Sequence, residues 1–135
     1  METFSITLKN SIQEISRLAG ELTKWGRSVK LSAAILNDVQ LSVEEIISNI
    51  IHYGRAGAES EICLRIEKAA YSITIIIEDS GIAFNPLRAP EPDVDAPLED
   101  RKIGGLGILL VKSAMDHLDY QRAHGKNRLI LVKKL

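Results

Sequence analysis

Cysteine is almost absent from this sequence, since Cys63 is the only one among 135 residues. A lone thiol cannot form an internal disulfide, and Cys63 has no metal-ligating residues at a useful spacing. The first residues contain no long apolar run of the signal-peptide kind. No segment approaches the roughly 20 apolar residues that cross a bilayer. These absences predict a soluble, cytoplasmic protein that does not interact with membranes.

Aromatic residues are also scarce, at 4%, and neither sign of charge dominates. Lys and Arg number 17 against 18 Asp and Glu, so the net charge is −1. A charge balance this even gives no electrostatic reason to expect nucleic-acid binding. Hydrophobic residues make up 45%, so a core built from Ile, Leu, Val and Ala is expected. The length fits one domain, predicted to span residues 1–135.

Hydrophobic periodicity predicts a definite order of elements along the chain. Apolar residues alternate over residues 3–9 and 61–67, and residues 71–78 contain the β-branched run 73–77; both patterns are typical of strands. Helical spacing predicts helices over residues 11–25 and 31–53, and two further strands close the chain around a turn at residues 124–127. The order is typical of an α+β fold, a two-layer sandwich with helices over one face of a mixed, mostly antiparallel sheet.

One long irregular stretch separates the two halves of this pattern. It runs from Asp79 to Ile103 and contains all four prolines. Loops longer than about 12–15 residues inside a compact domain are usually functional or disordered. The stretch ends at Gly104, Gly105 and Gly107, and a helix is predicted to begin only after them, at Ile108.

The helix over residues 31–53 carries the first candidate site residues. Glu45 and Asn49 are four residues apart, so their side chains lie on the same side of the helix. An amide oxygen can bind Mg²⁺, a hard cation that prefers oxygen, while a carboxylate can accept a proton from a nearby hydroxyl. The alternative is that both residues belong to the solvated side of an amphipathic helix.

A second candidate group follows the apolar strand over residues 71–78. Asp79 could accept a hydrogen bond from an exocyclic amine such as that of adenine. Gly81 would let the backbone come close to a flat ring. The alternative is an ordinary turn at the end of a strand, for which Asp, Ser and Gly are the expected residues.

The glycine cluster at residues 104–107 is the third candidate group. Backbone N–H groups and the positive end of a helix dipole favour phosphate at such a place. The cluster lacks the Gly-Lys-Ser/Thr of a P-loop. The alternative is a flexible loop exit that caps a helix.

Taken in order, these groups resemble the GHKL (histidine kinase-like) ATPase superfamily and its Bergerat fold. Within that superfamily, the sequence is most similar to the anti-sigma factor serine/threonine kinases of bacterial sporulation and stress responses. The resemblance covers nearly the whole chain, and the segments that carry it are 43–54, 79–86, 95–100, 104–107 and 127–135.

The resemblance implies a role for each matching residue. Glu45 would be the catalytic base that activates a serine hydroxyl, and Asn49 would bind the Mg²⁺ that bridges the ATP phosphates. Asp79 would recognise adenine, and Gly81 would permit its approach. A lid over about residues 82–103 would close the site. The remaining residues expected to bind phosphate are Arg101 (or Lys102), Gly104, Gly105, Leu106 and Gly107.

The resemblance also implies ligands and partners. ATP and Mg²⁺ would be the cofactors, and a small anti-sigma-factor antagonist of the STAS type would accept the phosphate. A sigma factor would be the second partner, and the chain would form a homodimer. Two other functions fit the same residues: a nucleotide-gated binding module without catalysis, for which Glu45 would not be needed, and plain ATP hydrolysis.

The sequence departs from the superfamily pattern in two places. Ala83 stands where many members have a second glycine after Gly81. This change bears on movement of the lid more than on nucleotide binding. In addition, the C-terminal part of the chain offers no evident threonine to complete the recognition of adenine.

Overall fold

The structure is a computed structural model that describes residues 1–88 and 103–135, with residues 103–106 described as backbone only. Three helices and five strands form the domain. In chain order they are β1 (Glu2–Lys9), α1 (Glu14–Ser28), α2 (Ala33–Tyr53), β2 (Glu61–Lys68), β3 (Ser72–Asp79), α3 (Ile103–Ala114), β4 (His117–Ala123) and β5 (Lys126–Lys134), with a short 3₁₀ turn at Pro86–Arg88.

The strands form one sheet in the order β1-β2-β3-β5-β4. Every pairing within the described residues is antiparallel. The α+β sandwich expected from the sequence is confirmed, although the sheet has no parallel pair in this part of the chain. In the register of β3 with β5, Asp79 lies opposite Asn127.

The core lies between one face of the sheet and the helices. Alternate residues of β2 and β3 are buried, and they pack with the apolar side of α2. Since aromatics are few, aliphatic side chains supply nearly all of this buried surface. The central members of the core are Ile62, Leu64, Ile66, Ile73, Ile75, Ile77, Val43, Ile46, Ile47 and Ile50.

Helix α2 is held at both ends by local hydrogen bonds. The Ser32 hydroxyl accepts a hydrogen bond from the Ile35 N–H at 3.2 Å, as an N-cap residue does. At the other end, the Gly54 N–H donates to the Ile50 carbonyl at 2.9 Å. The Gly54 carbonyl in turn accepts from the Ile82 N–H at 3.2 Å. The end of α2 is therefore fixed to the segment that follows β3.

The prediction for α3 was wrong at its start. The helix begins at Ile103 rather than after the glycines, so Gly104, Gly105 and Gly107 lie within its first turns. Each glycine weakens a helix by about 1 kcal/mol relative to alanine. Burial of Ile108, Val111 and Met115 against the core offsets this cost, because tertiary packing stabilises most protein helices.

No helix in the described part of the chain combines the length and the apolar character that a membrane span requires.

Candidate functional site

The corner after β3 is built around the buried carboxylate of Asp79. Its Oδ1 accepts a hydrogen bond from the Gly81 N–H at 2.9 Å and another from the Asn127 amide at 3.1 Å. Gly81 packs closely against the end of α2. A Cβ at Gly81 would lie 2.7 Å from the Gly54 carbonyl oxygen and 3.0 Å from Asp79 Oδ1. The absence of a side chain at Gly81 is therefore required by this corner.

Asn127 is the residue of this corner that the sequence reasoning missed. Its Nδ2 donates to Asp79 Oδ1 and, at 2.7 Å, to the Ile82 carbonyl. Its Oδ1 accepts from the Phe84 N–H at 3.2 Å and from the Tyr120 hydroxyl. Both N–H groups and both lone pairs of the amide are thus satisfied.

The β4–β5 hairpin determines why Asn127 arrives at this place. His124 and Gly125 have φ values of 54° and 74°, as in a two-residue turn of type I′. That turn fixes the register of β5, which then pairs with β3 so that Asn127 faces Asp79. On β4, Arg122 Nη1 donates to the Gly81 carbonyl at 2.8 Å. The sequence predicted Asn127 within the turn over residues 124–127, whereas the structure places it in β5. Its contact with Asp79 can be recognised only once the strand partners are known.

Glu45 lies on α2 with its carboxylate against the backbone of Gly107 in α3. A Cβ at Gly107 would lie 1.9 Å from Glu45 Cδ, so the missing side chain at Gly107 is what admits the carboxylate. Glu45 Oε1 is buried and has no hydrogen-bond partner among the described residues. Desolvation raises the pKa of Glu45 above its ordinary value, and the positive charge of His52 offsets part of that rise.

Asn49 is buried one turn further along α2, with 2% of its surface exposed. Its Nδ2 donates to the Pro86 carbonyl at 3.3 Å, which ties α2 to the 3₁₀ turn. The rings of Tyr53 and Phe84 reinforce this contact, with centroids 6.1 Å apart. Since Phe84 also bonds to Asn127, the segment 82–86 joins Asn49 to the corner around Asp79.

Five of the predicted site residues are therefore placed in two neighbouring groups. Asp79 and Gly81 lie in the corner after β3. Glu45 and Gly107 meet between α2 and α3. Asn49 connects these two groups, because it shares α2 with Glu45 and bonds to the segment 82–86. Arg101 and Lys102 lie outside the described residues, as do residues 89–102 of the predicted lid. Gly104, Gly105 and Leu106 are described only as helical backbone in the first turn of α3.

The oxygen atoms at this site suit a hard cation that takes most of its coordinating oxygens from a bound phosphate compound and from water. No three His, Cys, Asp or Glu side chains converge as a metal site within residues 1–88 and 103–135. Mg²⁺ commonly takes only one or two protein oxygens, with phosphate and water supplying the rest. The amide oxygen of Asn49 is a ligand of this kind, so the residues present fit Mg²⁺ bound together with phosphates.

Comparison with protein families identifies the domain. The model of the histidine kinase-like ATPase domain matches residues 8–133. The chain belongs to this family. Its similarity to individual proteins agrees: it is 32% identical over 102 residues to the serine/threonine-protein kinase BtrW of Bordetella bronchiseptica, covering 75% of this chain and 72% of that protein.

Two further relatives of this ATPase domain are more distant. It is 27% identical to the anti-sigma F factor of Clostridium novyi, over 73% of this chain and 70% of that protein. It is 24% identical to the serine-protein kinase RsbW of Bacillus mycoides, over 73% of this chain and 63% of that protein.

Among solved structures, the RsbU and RsbW domains of Rv1364c from Mycobacterium tuberculosis superpose with a TM-score of 0.72 at 14% identity. That match covers all of this chain and 33% of the solved one, and it supports the fold alone.

Proposed function

We propose that this domain is an ATP-dependent serine/threonine protein kinase that also acts as an anti-sigma factor. The observation that carries the kinase proposal is the position of Glu45. Its carboxylate is half-buried, its Oε1 has no partner among the described residues, and it lies against the start of α3. A binding module without chemistry does not require a desolvated carboxylate at that point. The names of the relatives support the same function.

ATP would bind with its adenine at the corner after β3. Asp79 Oδ1 already accepts two hydrogen bonds, both from within the protein. These bonds fix the carboxylate, so that its second oxygen is available to accept from the exocyclic amine of adenine. Gly81 would permit the approach of the ring by letting the backbone of this corner pack closely against the end of α2. Because these donors and acceptors are set before the nucleotide arrives, the corner is preorganised for binding.

The phosphates would lie between α2 and α3. The first N–H groups of a helix have no partner within the helix and favour anions, so Gly104, Gly105 and Leu106 would bind phosphate oxygens from the first turn of α3. Gly107 would contribute to the same end of the site by leaving space for the Glu45 carboxylate. Asn49 would bind Mg²⁺ through its amide oxygen. The ion would neutralise phosphate charge when bound. Arg101 or Lys102 would contribute positive charge from a lid over about residues 82–103.

The proposed reaction transfers the γ-phosphoryl group to a serine hydroxyl. The serine oxygen forms a bond to phosphorus as the bond to the bridging oxygen of ADP breaks. Glu45 accepts the hydroxyl proton, and ADP carries away the electron pair of the broken bond. Burial raises the pKa of Glu45 toward the working pH, which suits a general base.

The partners would be a STAS-type anti-sigma-factor antagonist, as phosphate acceptor, and a sigma factor. The whole chain, residues 1–135, would act as one domain and pair as a homodimer in the cytoplasm. Nucleotide state would favour one partner over the other through a difference in affinity. Phosphorylation of the antagonist would then release it and leave the sigma factor bound.

The direct test is transfer of label from γ-labelled ATP, with Mg²⁺, to a STAS-type protein encoded beside this chain. The proposal expects label on serine or threonine, stable to acid, as phosphohistidine is not. Binding of ATP without any transfer would overturn the kinase proposal and favour a nucleotide-gated binding module. Release of phosphate to water alone would favour plain ATP hydrolysis.

A further inference from the structure

A shallow apolar groove of about 460 Å³ opens on the helical side of the domain, beside Glu45. It lies between the start of α1 and the middle of α2. Its lining residues are Ile12, Ile15, Leu41, Glu44, Glu45 and Ser48. The proposed catalytic base therefore forms part of the wall of a surface groove.

The floor of this groove exposes apolar surface to water. Ile12 is 49% exposed and Leu41 is 39% exposed, while Ile15 beside them is half-buried. Removal of apolar surface from water favours association. A partner that places an apolar side chain against Ile12 and Leu41 would be stabilised in this way.

Helical geometry places Glu45 between the groove and the phosphate end of the site. Leu41, Glu44 and Ser48 recur at helical spacing and form one stripe along α2. Asn49 lies beside that stripe, on the side that bonds to Pro86. The Glu45 carboxylate contacts Gly107 of α3, and Glu45 also lines the groove. A hydroxyl in the groove can therefore reach Glu45 while phosphate lies at α3.

The charges of the groove restrict what can enter it. Burial raises the pKa of both Glu44 and Glu45, because each carboxylate is partly desolvated. The nearby Arg17 guanidinium is already bound to Glu14 and to the Thr7 carbonyl. An incoming acidic side chain would add like charge to an acidic wall. A neutral or basic segment with a hydroxyl to donate is complementary to it.

We propose that this groove docks the phosphoacceptor segment of the protein substrate. The segment places an apolar side chain, close in sequence to the serine, on Ile12 and Leu41, and it presents the serine hydroxyl to Glu45. It carries no acidic side chain facing Glu44. This inference rests on the proposed kinase function and adds the chemistry by which that kinase selects its substrate.

The test replaces the apolar floor without adding charge. Leu41→Gln and Ile12→Gln are compared with Leu110→Gln, a matched control at a residue of α3 that is 51% exposed and outside the groove. The probe is the STAS-type protein encoded beside this chain. We expect each groove variant to raise KM for that protein at least tenfold, with kcat at saturation and ATP affinity close to wild type. Wild-type KM in both groove variants would overturn the inference.

A binding measurement separates failure of the inference from failure of the proposed function. The affinity of the same probe is measured with Glu45→Gln alone and combined with Leu41→Gln, in the presence of a non-hydrolysable ATP analogue. Weaker binding in the double variant supports the groove even if wild type transfers no phosphate, in which case only the kinase proposal falls. Transfer by wild type with unchanged binding in the double variant overturns the groove and leaves the kinase standing.

Discussion

The two ends of the candidate site differ in how completely their polar groups are paired. In the corner after β3, Asp79 Oδ1 accepts two hydrogen bonds and the Asn127 amide makes four. At the other end, Glu45 Oε1 is buried with no partner among the described residues. A buried polar atom without a partner costs free energy of about 1–3 kcal/mol. The first end pairs most of its polar groups within the protein, whereas the second leaves one buried carboxylate oxygen unpaired among the described residues.

The two glycines of the site show the same contrast. An added Cβ at Gly81 would meet backbone oxygen of Gly54, which cannot move without disturbing the end of α2. The atoms nearest to an added Cβ at Gly107 would be those of the Glu45 carboxylate, the end of a flexible side chain. The corner after β3 is therefore rigid, and the region around Glu45 can adapt. Under the proposed function, the rigid corner would bind the nucleotide and the adaptable region would carry out the chemistry.

Among variants that keep Glu45 itself, the largest effect is expected from Gly107→Ala. The new methyl group would displace the Glu45 carboxylate, and displacement of a catalytic group by about 1 Å can cost roughly a hundredfold in rate. The fold should not suffer, because alanine is favoured over glycine in a helix by about 0.5–1 kcal/mol. Phosphotransfer rates and thermal unfolding measured on the same protein check both statements.

The control for Gly107→Ala is Gly20→Ala in α1, where an added Cβ has nothing within 4 Å. It should leave the rate of transfer unchanged. A rate for Gly107→Ala close to wild type would show that the position of the Glu45 carboxylate against α3 does not matter.

Asn127→Ala should give the largest loss of stability in the rigid corner. It removes all four hydrogen bonds of the Asn127 side chain from a buried place, and the loss is roughly 3 kcal/mol, since each unpaired group costs about 1–3 kcal/mol. Affinity for ATP should fall as well, because Asp79 loses one of the two donors that fix it. Urea unfolding and nucleotide titration measure these effects. Asn37→Ala, at an exposed residue of α2, is the control and should be near neutral.

Gly81→Ala should destabilise the same corner by a smaller amount, about 1–3 kcal/mol, because backbone must shift to admit the methyl group. The matched control is Gly57→Ala, where nothing lies within 4 Å of an added Cβ. Equal unfolding free energies for the two variants would contradict the rigidity assigned to this corner. A lower free energy of unfolding for Gly81→Ala, together with an unchanged one for Gly107→Ala, would confirm the difference between the two ends.

His52→Gln should give the smallest effect, a change in pH dependence. The charge of His52 lowers the pKa of Glu45, so removing it lets that pKa rise further. Since a general base works when deprotonated, the acid limb of the kcat/KM profile should move to higher pH. His117→Gln, at an exposed residue of β4, is the control. An acid limb that stays in place would show that Glu45 does not control this limb.

Local patterns in the sequence were enough for most of the fold. The strand that ends at Asp79 follows from its β-branched run, and the helix that carries Glu45 and Asn49 follows from helical spacing. Gly54 closes α2 as expected. The start of α3 did not follow, because glycines predict a loop and only packing against the core outweighs that preference. Asn127 was missed for a related reason, since its place depends on the pairing of β5 with β3.

The contacts of the site depend on tertiary structure in the same way. Spacing along α2 put Glu45 and Asn49 on one side of a helix, but it could not show that Gly107 would lie against the carboxylate. Nor could the spacing show that the Asn49 amide would donate a hydrogen bond to the Pro86 carbonyl. Both contacts join residues far apart in sequence.

In the proposed function, Glu45 acts in chemistry while the rest of the site binds ATP. Glu45→Gln tests it most directly, because the amide keeps the shape of the side chain but cannot accept the serine proton. ATP affinity and single-turnover transfer to the STAS-type protein would be measured on the same preparation. The account predicts affinity within about threefold of wild type and transfer slowed by a factor of roughly 10² to 10⁴. Transfer at the wild-type rate would contradict it and remove Glu45 as the base.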